Sequence, residues 1–94
     1  MIYLIIVQNR SIDFNYSLLY DKIKSMGDYI QAMDCLWFVY TKETLNISEV
    51  VKDLKNYIGE SGLLFMSELS SATKKDGRLL KTAWDFVREK EKLI

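Results

Sequence analysis

The segment Ile2-Tyr3-Leu4-Ile5-Ile6-Val7 decides the fold, because it is apolar throughout and rich in β-branched residues. Alternate residues of a strand face opposite sides, so a strand that is apolar on both sides has to be covered on both sides. A polar run over residues 8–11 ends the segment. We therefore predict that residues 2–7 form the central strand of one small sheet.

Length and composition are those of a single globular domain. The chain has 94 residues, of which 49% are apolar and 13% aromatic, enough to bury one modest core. Its formal net charge is zero, which gives no long-range attraction to nucleic acid or to an anionic membrane. The charge is uneven: residues 1–69 carry six Lys or Arg against nine Asp or Glu, and residues 70–94 carry seven against four. The basic tail is interpreted either as a solvated helix face or as a contact for an anionic partner.

The cellular location is predicted from the single cysteine and from the absence of targeting signals. Cys35 has no partner for an internal disulfide, which is typical of a reducing compartment. The apolar start is too short for a signal peptide and lacks a basic leader. No apolar run approaches the ~18 residues that a membrane span needs. We expect a soluble, cytoplasmic protein with no membrane partner.

A helix and a hairpin are predicted after the first strand. Apolar residues recur at helical spacing from Tyr16 to Met26, and Gly27 stands where a C-terminal helix glycine usually does. The runs at residues 29–33 and 36–40 predict two strands, joined by a tight turn at Asp34-Cys35.

A second helix and a last strand complete the pattern. Asn46, with Glu49 three residues later, predicts a capping box at the start of the helix. Gly59 is placed to end that helix. Residues 63–69 then predict the last strand.

The order of these elements indicates an α+β fold, a ferredoxin-like βαββαβ sandwich with both helices on one face of the sheet. Right-handed crossovers place the strands at 2–7 and 36–40 in the middle, with those at 29–33 and 63–69 at the edges. We expect one domain overall. It consists of a ferredoxin-like core over residues 1–69, followed by a polar loop and a C-terminal amphipathic helix over residues 70–94.

That third helix is predicted from apolar residues that recur between Leu79 and Val87. The first two helices already cover one face of the sheet, so Trp84 and its neighbours need either the open face or a partner chain. The second alternative predicts a homodimer or a higher homo-oligomer. The predicted interface residues are Trp84 and, on the edge strand, Tyr29 and Gln31.

Several local strings resemble a known group of proteins. They are Asn15-Tyr16, Ile23-Lys24-Ser25-Met26-Gly27-Asp28, Asp34-Cys35-Leu36-Trp37-Phe38-Val39 and Leu63-Leu64-Phe65. Over residues 2–69 the chain resembles the Cas-two family, the small ferredoxin-like proteins related to the CRISPR adaptation subunit, and within it the stand-alone SinR-like relatives. The resemblance implies a homodimer formed through the sheet region. It also suits a phage or mobile-element protein that interferes with a bacterial defence system.

Members of that family with nuclease activity carry an aspartate just after the first strand, which would hold a divalent metal at the dimer axis. In this sequence the matching place falls at Gln8 or Asn9. A hard cation binds anionic oxygen better than a neutral amide, and Asp13 lies beyond the strand end. We therefore expect a degenerate metal-site position at Gln8, Asn9 and Asp13, with no bound metal. The alternative is a divalent-metal-dependent endonuclease that uses Asp13 and nearby backbone oxygens.

Other catalytic chemistry has few residues available. The chain has no histidine, which is the commonest general base, and one cysteine cannot build a zinc site. Neither a glycine-rich phosphate loop nor a nucleophile elbow is present. We expect no catalytic residues and no cofactor. The predicted function is a non-catalytic dimeric binding module for a nucleic acid, a nucleotide or a protein.

The loop over residues 70–78 concentrates hydroxyl groups and positive charge. These are the side chains that contact phosphate, so the loop is the predicted ligand-binding segment, with a solvated loop as the alternative interpretation. The predicted ligand-binding residues are Ser70, Ser71, Thr73, Lys74, Lys75 and Arg78.

Overall fold

In a computed structural model that describes residues 1–94, the chain forms a four-stranded antiparallel sheet with three helices. The elements are β1 (Ile2–Asn9), α1 (Ser17–Lys24), β2 (Asp28–Met33), β3 (Leu36–Tyr40), α2 (Ile47–Ile58), β4 (Gly62–Leu69) and α3 (Lys81–Glu91). The strand order is β2-β3-β1-β4, and every neighbouring pair is antiparallel. The predicted α+β class is confirmed, as is the central position of β1 and β3.

The sheet is covered on both faces, as the apolar sequence of β1 requires. The larger core lies between the sheet and the helices α1 and α2. Its buried members are Tyr3, Ile5, Val7, Leu19, Ile23, Trp37, Val39, Leu54, Ile58 and Met66. We call this side of the sheet the two-helix face.

The opposite face of the sheet, which we call the α3 face, has a smaller core. There Ala83 and Val87 of α3 pack with Ile2, Ala32 and Phe38 of the sheet. Both α3 residues are only 1% exposed within the single chain. The first of the two alternatives for this helix is therefore the one observed, and burial of its apolar side needs no partner chain.

The helix α2 begins and ends at the residues that the sequence predicted. The side chain of Asn46 accepts a hydrogen bond from the backbone N–H of Glu49 at 3.2 Å. Gly59 has a φ of +79° immediately after the helix, a conformation that costs a residue with a Cβ more than it costs glycine. The predicted role of Gly59 and the Asn46 half of the predicted capping box are confirmed.

The end of α1 differs from the prediction, because Gly27 does not cap it. The helix ends at Lys24, and Gly27 does not adopt a positive φ. A Cβ at Gly27 would lie 2.2 Å from the carbonyl oxygen of Tyr40. The glycine is therefore explained by the close approach of two backbone segments where β2 begins beside the end of β3.

None of the three helices combines the length and apolar character needed to cross a bilayer.

Candidate functional site

The loop between β4 and α3, residues 70–80, carries the predicted ligand-binding residues, and some of them hold the loop itself together. The hydroxyl of Thr73 accepts a hydrogen bond from the backbone N–H of Ser70 at 3.0 Å. The Lys75 ammonium donates to the carbonyl oxygens of Ser70 and Thr73, at 3.1 and 2.6 Å. It also pairs with Glu91 of α3 at 3.4 Å. Ser70, Thr73 and Lys75 thus shape the loop and attach it to α3.

Lys74 and Arg78 form a second group, because both are exposed and neither has a carboxylate partner. The ion pairs of the chain are Lys22–Asp53, Lys75–Glu91, Lys81–Asp85 and Lys90–Asp28. Ser71 is also exposed, but it lines a separate polar hollow beside Arg88. Of the six predicted residues, only Lys74 and Arg78 are cations available to an external anion.

A cleft of about 380 Å³ lies between this loop, α3 and the α3 face of the sheet. Ligand pockets commonly have volumes of ~300–1,000 Å³, so the cleft is large enough for a small ligand. We call it the loop–helix cleft. Leu4, Leu36, Phe38 and Leu69 form its floor, Trp84 and Val87 form the helix wall, and residues 73–79 form the loop wall.

The charge of the loop–helix cleft is positive. Lys75 is neutralised by Glu91, which leaves Lys74 and Arg78 against the single carboxylate of Asp76 in its lining. That carboxylate accepts the backbone N–H of Gly77 at 2.8 Å. An anion in the cleft would therefore meet two unpaired cations near an apolar surface.

A larger hollow of about 570 Å³ lies where α2 turns into β4. Its charged lining residues are Lys55 and Glu60, whose charges are opposite, and only three of its seven lining residues are apolar. It offers no net charge and no predicted site residue. The loop–helix cleft is the better candidate.

The residues of the degenerate metal-site position do not converge. Gln8 and Asn9 are neighbours on β1 and so face opposite sides of the sheet. Gln8 is exposed on the α3 face, and Asp13 is exposed in the loop after β1, where the Ser11 hydroxyl donates to it at 2.6 Å. That hydrogen bond lowers the pKa of Asp13 from its ordinary value of 3.8. No group of three or more His, Cys, Asp or Glu is placed to hold a metal ion.

Asn9 has a structural role that the sequence analysis missed. Its side chain is largely buried, at 9% exposure, and its amide nitrogen donates to the carbonyl oxygen of Ile58 at 2.7 Å. Its amide oxygen accepts the backbone N–H of Ser11 at 2.8 Å. The available signal was an asparagine at a strand end before a polar run, a pattern typical of an Asx-turn.

The predicted interface residues lie on opposite faces of the sheet. Tyr29 is 44% exposed on the two-helix face, with its ring 5.8 Å from that of Trp37. Gln31 lies on the same face and donates to the carbonyl oxygen of Asp34 at 3.1 Å. Trp84 lines the loop–helix cleft on the other face, with the Arg88 guanidinium 5.4 Å from its ring centroid. The structure does not bring these three side chains together.

The apolar floor of the loop–helix cleft was also missed by the sequence analysis. The sequence carries a signal for this floor, because β1 and β3 are apolar on both faces and α3 is too short to cover one whole face of the sheet.

Comparison with family models, with curated proteins and with solved structures found no match to this chain.

Proposed function

We propose that the chain is a non-catalytic binding module that holds an anionic ligand in the loop–helix cleft. The supporting observation is that two unpaired cations, Lys74 and Arg78, line a cleft whose floor is apolar. Hydrogen bonds from these cations to a carboxylate or a phosphate are charge-assisted and therefore strong. The rest of the ligand gains free energy by displacing water from the floor.

We propose a ferredoxin-like scaffold for this module. The strand order supports it, because β3 separates the two strands that α1 connects, and β1 separates the two strands that α2 connects. Since all neighbouring strands are antiparallel, each helix then joins two parallel strands, as in a split βαβ unit.

The biological setting is proposed from the resemblance to the Cas-two family. It implies a cytoplasmic homodimer of phage or mobile-element origin that acts on a bacterial defence system. Two features are compatible with this setting. Cys35 is a free thiol, as expected in a reducing compartment, and the edge strand β4 leaves Leu63 and Phe65 exposed for contact with a second copy.

Anion binding is tested with a double variant, Lys74→Gln with Arg78→Gln, by calorimetry. The probes are adenosine monophosphate, a thymidine oligonucleotide and octyl phosphate, at low and at high salt. At least one of them should bind the unaltered chain, and more weakly at high salt. The double variant should bind that probe about tenfold more weakly or worse, because two charged donors are lost.

The matched control is Lys42→Gln with Lys52→Gln, which removes two exposed lysines that have no ion pair. It should bind as the unaltered chain does. Equal affinities of the two double variants would contradict the proposed site. Incubation with DNA and RNA, with and without Mg²⁺ or Mn²⁺, tests the non-catalytic part: cleavage that Asp13→Ala abolishes would establish the endonuclease instead.

A further inference from the structure

We infer that the ligand of the loop–helix cleft is a single-chain anionic amphiphile, in which a carboxylate or phosphate head is joined to a hydrocarbon tail. This inference rests on the proposed function and names the class of ligand. Lys74 and Arg78 bind the head, and the floor of the cleft takes the tail.

The floor selects for a group without polar atoms. Every sheet side chain that lines the cleft is a hydrocarbon: Leu4, Leu36, Phe38 and Leu69. They belong to β1, β3 and β4. The backbone N–H and C=O groups through which β1 pairs with β3 and β4 are already hydrogen-bonded within the sheet. A nucleobase or a sugar placed on this floor would bury N–H and hydroxyl groups without partners, which is unfavourable. A hydrocarbon tail has no such groups.

The apolar surface continues beyond the cleft along the α3 face. In the sheet register, Ile6 lies between Leu36 of β3 and Phe65 of β4, and the next pair on the same face joins the polar Gln8 of β1 to Leu63 of β4. Directly opposed residues of antiparallel strands share a face, so Ile6, Phe65 and Leu63 extend the floor, with Gln8 as the polar side chain among them. Phe65 is 57% exposed and Leu63 51%. A tail longer than the cleft therefore finds further apolar surface, which we call the apolar track.

The head group is positioned by the loop wall. Lys75 already donates to two carbonyl oxygens and pairs with Glu91, so Lys74 and Arg78 are the cations left on that wall. Because they stand on the loop while the floor is made by the strands, charge and hydrocarbon are presented on different walls of one cleft. This separation matches a ligand that is charged at one end only.

The test is a calorimetric titration with hexyl, octyl, decyl and dodecyl phosphate, each below its micelle concentration. Burial of each added methylene should tighten binding about threefold to fourfold. The corresponding alcohols, which lack the charge, should bind at least about tenfold more weakly. Lys74→Gln with Arg78→Gln should weaken all four phosphates by a common factor and leave the gain per methylene unchanged, and Lys42→Gln with Lys52→Gln should have no effect.

A floor variant, Leu36→Ser, should reduce the gain per methylene, whereas Leu18→Ser on α1, where the side chain is 72% exposed, should not. Thermal unfolding of both variants identifies any loss of fold, and the chain-length series on the unaltered protein tests the inference even if a variant unfolds.

If the phosphates bind with salt dependence but equally at every chain length, the amphiphile inference is wrong and anion binding stands. If the oligonucleotide binds more tightly than dodecyl phosphate, the ligand is a nucleic acid and the inference is also wrong. If no anion binds, both proposals fail.

Discussion

Asn9 is one of the two residues, with Gln8, at which the proposed resemblance to Cas-two proteins implies an acid, and its amide does what a carboxylate cannot. Its nitrogen donates to the carbonyl oxygen of Ile58, the last residue of α2. The final carbonyl groups of a helix have no partner within the helix and carry its negative dipole end. A donor is needed there, and a carboxylate offers only acceptors at neutral pH.

Asn9→Asp should therefore destabilise the fold by about 1–3 kcal/mol, because it leaves a buried carbonyl unpaired and adds negative charge beside it. The free energy of unfolding is measured from urea denaturation curves. The matched control is Gln8→Glu, at an exposed position, which should stay within about 0.5 kcal/mol of the unaltered chain. Equal stability of the two variants would show that the Asn9 amide is dispensable.

Asp13 provides a pH-dependent prediction at the same scale. The Ser11 hydroxyl lowers the pKa of its carboxyl below 3.8. A folded-state pKa below the unfolded value stabilises the fold above the unfolded pKa, and this contribution is lost as the pH falls through the folded pKa. Ser11→Ala should raise the pKa of Asp13 toward 3.8, as measured by an NMR titration of the carboxyl carbon. An unchanged pKa in the variant would mean that the hydrogen bond is not formed in solution.

At the scale of elements, α3 is held by two kinds of contact. Its apolar side packs on the sheet through Ala83 and Val87. Its C-terminal turn holds the loop through the pair between Glu91 and Lys75, whose side chain is only 15% exposed. Adjacent lysines thus have different roles, because Lys75 fastens the loop whereas Lys74 lines the loop–helix cleft without an ion pair.

Lys75→Gln should loosen the loop over residues 70–80, whereas Lys74→Gln should not. The amide of Thr73, which donates to the carbonyl oxygen of Ser70 at 3.1 Å, reports on this. Loss of the charged donor should accelerate its hydrogen exchange about tenfold in the first variant. The same exchange rate in both variants would assign Lys75 no special role in holding the loop.

At the scale of the whole molecule, the strand β4 is the surface that the proposed second copy would contact. Burial of α3 does not require that copy, but Phe65 and Leu63 remain exposed on β4. The outer edge of β4 has no neighbouring strand, and an exposed edge strand favours pairing with another chain. These two features favour β4 as the contact of the proposed dimer, in which a second copy would compete with a long ligand tail for the apolar track.

Phe65→Ser should lower the dimer fraction that light scattering measures across micromolar concentrations, because it removes apolar surface from that contact. The free energy of unfolding of the monomer should change little, since the side chain is already 57% exposed. Leu18→Ser, on α1, is the control and should leave the dimer fraction unchanged. A strictly monomeric unaltered chain over this range would refute the homodimer.

Much of the fold was predictable because its signals are local. The continuous apolar run of β1 predicted a central strand, and the spacing of Asn46, Glu49 and Gly59 predicted both ends of α2. Gly27 was misjudged as a helix cap, because its actual neighbour, the Tyr40 carbonyl, is distant in sequence. The sequence shows that residues 70–78 are rich in hydroxyls and cations, but it does not show which of these side chains hold the loop and which stay free.

The sequence by itself determined the helices and strands and their order along the chain, because apolar periodicity and capping act within a few residues. Only the tertiary structure decided that α3 packs on the sheet of the same chain. It also decided that the Asn9 amide donates to a carbonyl oxygen of α2 that is 49 residues away, and that Lys75 is paired whereas Lys74 is not. Each of these depends on distances between segments far apart in the chain. Side-chain pairing and the walls of a cleft are set by those distances, which no local pattern contains.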